Sequence, residues 1–149
     1  MVSKFKDKAV LFIDILGFRE LIRSPAIKDK LLDILTGFHT QHERFASGYI
    51  KIISDAEFEF CSFSDCIVAS CEVKDNSIKV LGNYASGLQY QLMLEGILSR
   101  GGIAFGDLFH KKNVIIGQAM IDAYEMEAEL AFYPRVVIGK QIRDAFDVH

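Results

Sequence analysis

Two short apolar runs, each closed by an aspartate, constrain this chain more than any other feature. Ala9-Val10-Leu11-Phe12-Ile13 ends in Asp14. Phe60-Cys61-Ser62-Phe63-Ser64 ends in Asp65 and is followed at once by Cys66-Ile67-Val68-Ala69. Both runs are short and rich in β-branched and aromatic residues, so both are predicted to be buried strands. A carboxylate at the end of such a strand is expensive to desolvate unless something pairs with it. Two that converge repel one another, and a divalent cation removes that repulsion. Hard carboxylate oxygens suit Mg²⁺ or Mn²⁺ carrying a polyphosphate. The pattern points to a metal site of the kind used in nucleotidyl transfer.

Composition narrows the setting. The 149 residues read as one domain, 1–149, long enough to bury a sizeable core. A net charge of −3 and the lack of a Lys/Arg-rich stripe argue against a nucleic-acid polymer as partner, while a nucleotide needs only a local positive spot. No apolar run approaches the roughly 20 residues of a membrane span. Asp14 interrupts the N-terminal apolar run, and no signal-type cleavage site follows. The three cysteines, Cys61, Cys66 and Cys71, lack metal-ligand spacing and are expected to be reduced and buried in a cytoplasmic protein.

Hydrophobic periodicity sets out the rest. Gly17 permits a sharp turn after the first strand. Phe18 to Ile22 reads as a short helix stopped by Ser24-Pro25, and Ile27 to about Phe45 as a longer one ended by Ser47-Gly48. Lys51 to Ala56 is ambiguous between loop and edge strand. Glu57–Ser62 and Cys66–Glu72 form a predicted β-hairpin with Asp65 at its tip. Asp75-Asn76-Ser77 offers a cap for a helix burying Ile78, Leu81, Tyr84 or Ala85, Leu88, Leu92 and Ile97. Gly101 to Phe109 is a strand, His110 to Asn113 a turn, and Val114 to Ile116 a return strand. Gly117 opens a helix to about Ala131, and Arg135 to Ile138 is the last strand. The order βααββαββαβ implies an α+β fold of ferredoxin-like ancestry around a mixed sheet. His39 and His42 read as a solvated helix face, and Glu125, Glu127 and Glu129 as the exposed side of the late helix.

Taken together, these segments resemble the class III nucleotidyl cyclases. Val10 to Leu21 is similar to the family's first metal motif: an apolar strand, Asp14, two apolar residues, Gly17 and Phe18. Phe63-Ser64-Asp65 stands where the family has its second metal aspartate. Arg100-Gly101-Gly102-Ile103-Ala104-Phe105-Gly106 resembles a strand beginning Arg-Val-Gly-Ile, and Gly117 to Glu127 a helix ending near Met-Glu. The resemblance implies a ferredoxin-like-derived cyclase fold, a central mixed sheet with flanking helices. It implies that Asp14, Asp65 and the Ile15 carbonyl hold two Mg²⁺ or Mn²⁺ ions. The backbone amides of Ile15, Leu16, Gly17 and Phe18 would cradle the phosphates, and Arg100 would contact a terminal phosphate as a third catalytic residue. Class III sites form across a dimer interface, so a homodimer is expected. Family members also continue beyond the last strand, so a further C-terminal segment with a phosphate-binding Lys is expected.

The departures carry information. Relatives that read adenine use a Lys four residues before the second Asp and an Asp three before the Gly of the late helix; here these are Cys61 and Val114, with Asn113 adjacent. The family's transition-state Asn and Arg fall at Ile121 and Glu125, which cannot stabilise developing negative charge. Another cation, Arg19 or Arg135, would have to serve, or the domain is a degenerate binding or regulatory module. Phe63-Ser64-Asp65-Cys66-Ile67-Val68, Arg100-Gly101-Gly102-Ile103, Ala123-Tyr124-Glu125-Met126-Glu127 and Tyr133-Pro134-Arg135 are similar to the pyrimidine cyclases of Pycsar anti-phage systems. That resemblance implies UTP or CTP as substrate, and cUMP or cCMP as a second messenger for a separate effector. Cys61, Phe63, Asn113 and Val114 would surround the base, with Ser62 a further hydrogen-bonding group and Phe60 a further wall. A purine cyclase is the alternative. A diguanylate-cyclase-like enzyme ranks lower, because its Gly-Gly-Asp-(Asp/Glu)-Phe hairpin is absent.

Overall fold

The Ala9–Ile13 run sits inside a longer strand, β1 (Lys6–Ile15), and the other elements of the computed structural model follow in the expected order. They are α1 (Phe18–Arg23), α2 (Pro25–Arg44), β2 (Phe58–Phe63), β3 (Cys66–Glu72), α3 (Ser77–Leu94), β4 (Ser99–Lys111), β5 (Val114–Ile116), α4 (Gln118–Leu130) and β6 (Val136–Ile138). The structure describes residues 4–44, 58–73, 77–140 and 142. Phe45, the Ser47-Gly48 break, the 51–56 stretch, Glu57 and Asp75-Asn76 of the expected cap lie outside them.

Among the described strands β1 is central, antiparallel to β3 on one side and to β4 on the other. The order is β2-β3-β1-β4-β5, with β6 parallel to β4, which makes the sheet mixed. Helices flank it, so the fold class is the α+β one expected.

Successive strand side chains point to opposite faces. Ala9, Leu11, Ile13 and Ile15 share one face, where Leu31 and Phe38 of α2 and Leu81, Tyr84, Ala85, Leu88 and Leu92 of α3 cover them. Ile97 joins this core from beyond the end of α3. A fully buried Leu or Ile side chain contributes about 1.5–3 kcal/mol, and Leu11, Ile13, Ile67, Leu81, Leu88 and Leu92 are all essentially dry. The other face is thinner. Val10, Phe12, Val68, Ala104 and Leu108 meet Ala119 and Ala123 of α4. The helix comes this close because Gly102 has no side chain: a Cβ there would stand 2.6 Å from the Ala123 carbonyl oxygen.

The strand β4 runs on to Lys111, so His110 and Lys111 extend it, and the turn is only Lys112-Asn113. Register puts Leu108 opposite Lys6 and Ser70 opposite Val10, which on a flat sheet would leave His110 about 20 Å from Ser70. Ser70 Oγ and His110 Nδ1 are instead 2.7 Å apart, and both residues are buried. The β4–β5 ribbon therefore coils back over the α4 side of the sheet. In the neutral imidazole, Nε2 donates to the Lys112 carbonyl at 3.2 Å, leaving Nδ1 to accept from the Ser70 hydroxyl. The Lys112 amide in turn donates to the Glu59 carboxylate at 3.1 Å, fastening the turn to β2.

All three cysteines are free thiols, but only Cys71 is buried; Cys61 and Cys66 are half-exposed on the α4 face, which covers them incompletely. No helix among the described residues is long and apolar enough to cross a membrane.

Candidate functional site

Strand alternation delivers the first site residue. Val10 and Phe12 face α4, and Asp14 is the next position of that set, past the point where apolar cover ends. Its neighbours across the sheet are Cys66 on β3 and Arg100 on β4. Asp65 occupies the two-residue turn between β2 and β3, beside Ser64 at φ 56, and its carbonyl accepts the Ile15 amide at 2.9 Å. The two expected aspartates are thus brought together. One oxygen from each and the Cys66 sulfur lie within 4.8 Å of one another.

The electrostatics are strained in the direction a cation would relieve. Burial, then the charges of Glu127 and Asp65, push the Asp14 carboxyl up to about 6, with Arg100 opposing them. Burial and the neighbouring carboxylates push the Cys66 thiol up to about 12. A donor set of two crowded carboxylates, with oxygens close enough to share one ion, fits Mg²⁺ or Mn²⁺. Glu127 departs from expectation: it is buried rather than on the exposed side of α4. It follows Ala119 and Ala123 at four-residue spacing, and that stripe packs on the sheet. Its carboxylate pairs with Arg100 Nε at 2.5 Å, with the Glu127 side chain only 5% exposed.

An open groove of about 680 Å³ adjoins the aspartates, lined by Asp14, Gly17, Phe18, Arg19, Arg23 and Asp65 among others. Gly17, at φ 68, turns the chain from β1 into α1. The expected cradle is corrected in part: the Ile15 amide is bound to Asp65 and the Leu16 amide to the Leu98 carbonyl at 2.9 Å. Closure of the sheet end uses both, which leaves the Gly17 and Phe18 amides of the expected four. Arg100 does not line this groove; its guanidinium is drawn to Glu127. Arg19 does line it, as does Arg23, four residues on along α1, which sequence reasoning passed over although the spacing shows in the chain; Arg23 Nη1 is paired with Glu20 at 3.0 Å on the exposed side of α1. Arg135, the other candidate cation, is exposed and donates from Nη2 to the Leu130 carbonyl at the end of α4 at 2.9 Å; it does not line this groove.

The residues expected to face a base divide by sheet face. Cys61 is on the α4 side, packed with Ile115 against the smaller core, and Phe63 is exposed at the end of the same strand. Phe60 points the other way, into the α2–α3 core against Tyr84, and Ser62 shares its side of the strand. Neither can narrow or read a pocket beside Cys61. Asn113 and Val114 follow Lys112, whose amide is held by Glu59, two residues from Cys61 on the same face. Ile121 and Glu125 are exposed on α4. His39 is exposed and sets its ring edge-on to Phe60, so it is spoken for by packing.

No family model matches the chain, and no curated protein matches it. Solved structures do. A bacterial light-regulated adenylyl cyclase superposes over 97% of this chain with a TM-score of 0.66 at 16% identity. The chain has the class III nucleotidyl cyclase fold. A class III adenylyl cyclase-like ATP-binding protein from Pseudomonas aeruginosa shares this cyclase fold over 95% of the chain, with a TM-score of 0.60 at 18% identity. The chain spans 46% of the first of those proteins and 35% of the second.

Proposed function

We propose that this cyclase-fold domain converts a pyrimidine nucleoside triphosphate, UTP or CTP, into its 3′,5′-cyclic nucleotide and pyrophosphate. The observation that carries the reading is the convergence of Asp14 and Asp65, from β1 and the β2–β3 turn, on the lining of one open groove. Asp14, Asp65 and the Ile15 carbonyl would hold two Mg²⁺ or Mn²⁺ ions. Such ions lower the pKa of a ribose 3′-hydroxyl and neutralise a departing pyrophosphate. The Gly17 and Phe18 amides and the Arg19 and Arg23 guanidinium groups bind and orient the triphosphate. The ribose 3′-oxygen then bonds to the α-phosphorus in line, as its proton leaves to solvent and the bond to the pyrophosphate oxygen breaks. Arg100, held by Glu127, keeps one positive charge beside Asp14.

Cys61 and Val114 supply none of the charged groups that read adenine. The turn bearing Asn113, tied down on β2, is the group we assign to a smaller base. The domain acts as a homodimer, which suits the exposed Phe63, Ile121 and Tyr124 on the α4 side. By its resemblance to the Pycsar cyclases, it works in the cytoplasm and its product signals to a separate effector in antiviral defence. A second reading, a degenerate nucleotide-binding module, is favoured by Ile121 and Glu125. Incubation with each of the four NTPs and Mn²⁺, with products resolved by mass, separates the readings. We expect cUMP or cCMP. Cyclic AMP or GMP as main product at equal NTP concentrations overturns the base assignment, and bound but unchanged nucleotide supports the degenerate module.

A further inference from the structure

We infer that Cys66 turns the Asp14–Asp65 centre into a three-donor site for a thiophilic divalent ion, so that Zn²⁺ occupies it through two carboxylates and a thiolate. The inference rests on the reading of Asp14 and Asp65 as metal ligands. Three observations carry it. Cys66 stands directly opposite Asp14 in the β1–β3 ladder, so both side chains leave the sheet on the same face. The three donor atoms lie within 4.8 Å of one another. Cys66 Sγ is 3.6 Å from Asp65 Oδ1, about the separation that oxygen and sulfur ligands adopt around one tetrahedral Zn²⁺.

The donor set divides the divalent ions by softness. Mg²⁺ takes oxygen ligands and leaves the thiol aside. Zn²⁺ is bound well by sulfur and stands above Mn²⁺ in the general affinity order. When it binds, the Sγ–Zn bond forms as the S–H proton leaves to solvent, and a fourth position stays open to water or a phosphate oxygen. The same residues would then take Mg²⁺ or Mn²⁺ in one mode and Zn²⁺ in a tighter, competing one.

The test uses the chelator-stripped protein and Co²⁺ as a spectroscopic substitute for Zn²⁺. We expect a near-ultraviolet sulfur-to-cobalt charge-transfer band that Zn²⁺ bleaches, and that is lost in Cys66→Ser, in Cys66→Ala and in Asp65→Asn. Zn²⁺ binding should weaken at least tenfold in either Cys66 variant, while the Mn²⁺ midpoint, followed by thermal shift, moves less than twofold. Two variants at Cys66 keep the test open if one fails to fold. If Mn²⁺ binds in an Asp14-dependent way but the band never appears, the thiolate ligand is refuted and the metal reading stands. A band that survives both Cys66→Ser and Cys66→Ala places the cobalt at another cysteine, and one unchanged in Asp65→Asn removes that carboxylate from the ligands; either overturns the site. Failure of Mn²⁺ and Co²⁺ alike to bind removes the metal reading and this inference together.

Discussion

Replacing Asp14 by Asn should make the metal-free protein more stable at neutral pH. In the folded chain the Asp14 carboxyl, pushed up to about 6 by burial and by Glu127 and Asp65, holds its proton more tightly than in the unfolded chain. The stability linked to this group is therefore intact below the ordinary aspartate value of 3.8, and is withdrawn as pH rises through about 6. The whole displacement corresponds to about 3 kcal/mol, and solvent screening at this open strand end reduces it to about 1–1.5 kcal/mol. Asparagine keeps the shape without the charge, so Asp14→Asn should melt about 3–5 °C above the wild type at pH 7.5 in chelator. The gap should shrink to about half near pH 5 and to about a fifth near pH 4, and close near pH 3. Saturating Mn²⁺ reverses the order, because ligand at about a hundred times its Kd adds roughly 2.7 kcal/mol to the wild type alone. Differential scanning calorimetry across pH, with and without Mn²⁺, reads all of this. An Asn variant that melts below the wild type in chelator at pH 7.5, or a gap independent of pH, refutes the argument.

The Arg100–Glu127 pair should behave as a buried ion pair: Glu127→Gln costs about 3 kcal/mol by urea titration, and the double variant Arg100→Met/Glu127→Leu recovers most of it. If the double variant is as unstable as the single one, the loss comes from packing. Gly102→Ala should lower stability by about 2–4 kcal/mol, because the new Cβ meets the Ala123 carbonyl. Gly87→Ala, in α3 with nothing within 4 Å of the added carbon, should raise it by about 0.5–1 kcal/mol. Equal melting shifts for the two would show that close approach does not govern β4. Specific turnover should fall on dilution as a dimer dissociates; light scattering of a monomer that stays fully active refutes shared sites.

The element order was legible because the local signals agreed with the fold: β-branched runs before Asp14 and Asp65, Ser24-Pro25 between helices, and Gly117 at the head of α4. The two aspartates were legible for the same reason, since a charge closing an apolar run shows in one dimension. What stayed hidden depends on partners distant in sequence. Glu127 reads as one of three alternating acids until packing shows that its stripe, with Ala119 and Ala123, faces the sheet. The amides of Ile15 and Leu16 look available until Asp65 and Leu98 arrive as acceptors. Phe60 and Ser62 were grouped with Cys61 and Phe63, although alternation sends the two pairs to opposite sides of one strand. The backward coil of β4, and with it the Ser70–His110 bond, leaves no mark in the periodicity.

The two aspartates sit on parts of the sheet with different mechanical character. Asp14 belongs to β1, bonded along its length on both sides and backed by the main core. Asp65 rides the tip of a hairpin whose outer strand, β2, pairs with β3 alone among the described strands. Amides in such places open to solvent at very different free energies, the central strand near the global value and the tip far below it. An ion gripped by both would borrow rigidity from one and lend it to the other, so the entropy lost on binding falls almost wholly on the hairpin. Affinity for the ion is then set as much by the looseness of Ser64-Asp65-Cys66 as by the ligands themselves, and hydrogen exchange at those three amides is where occupancy is felt first.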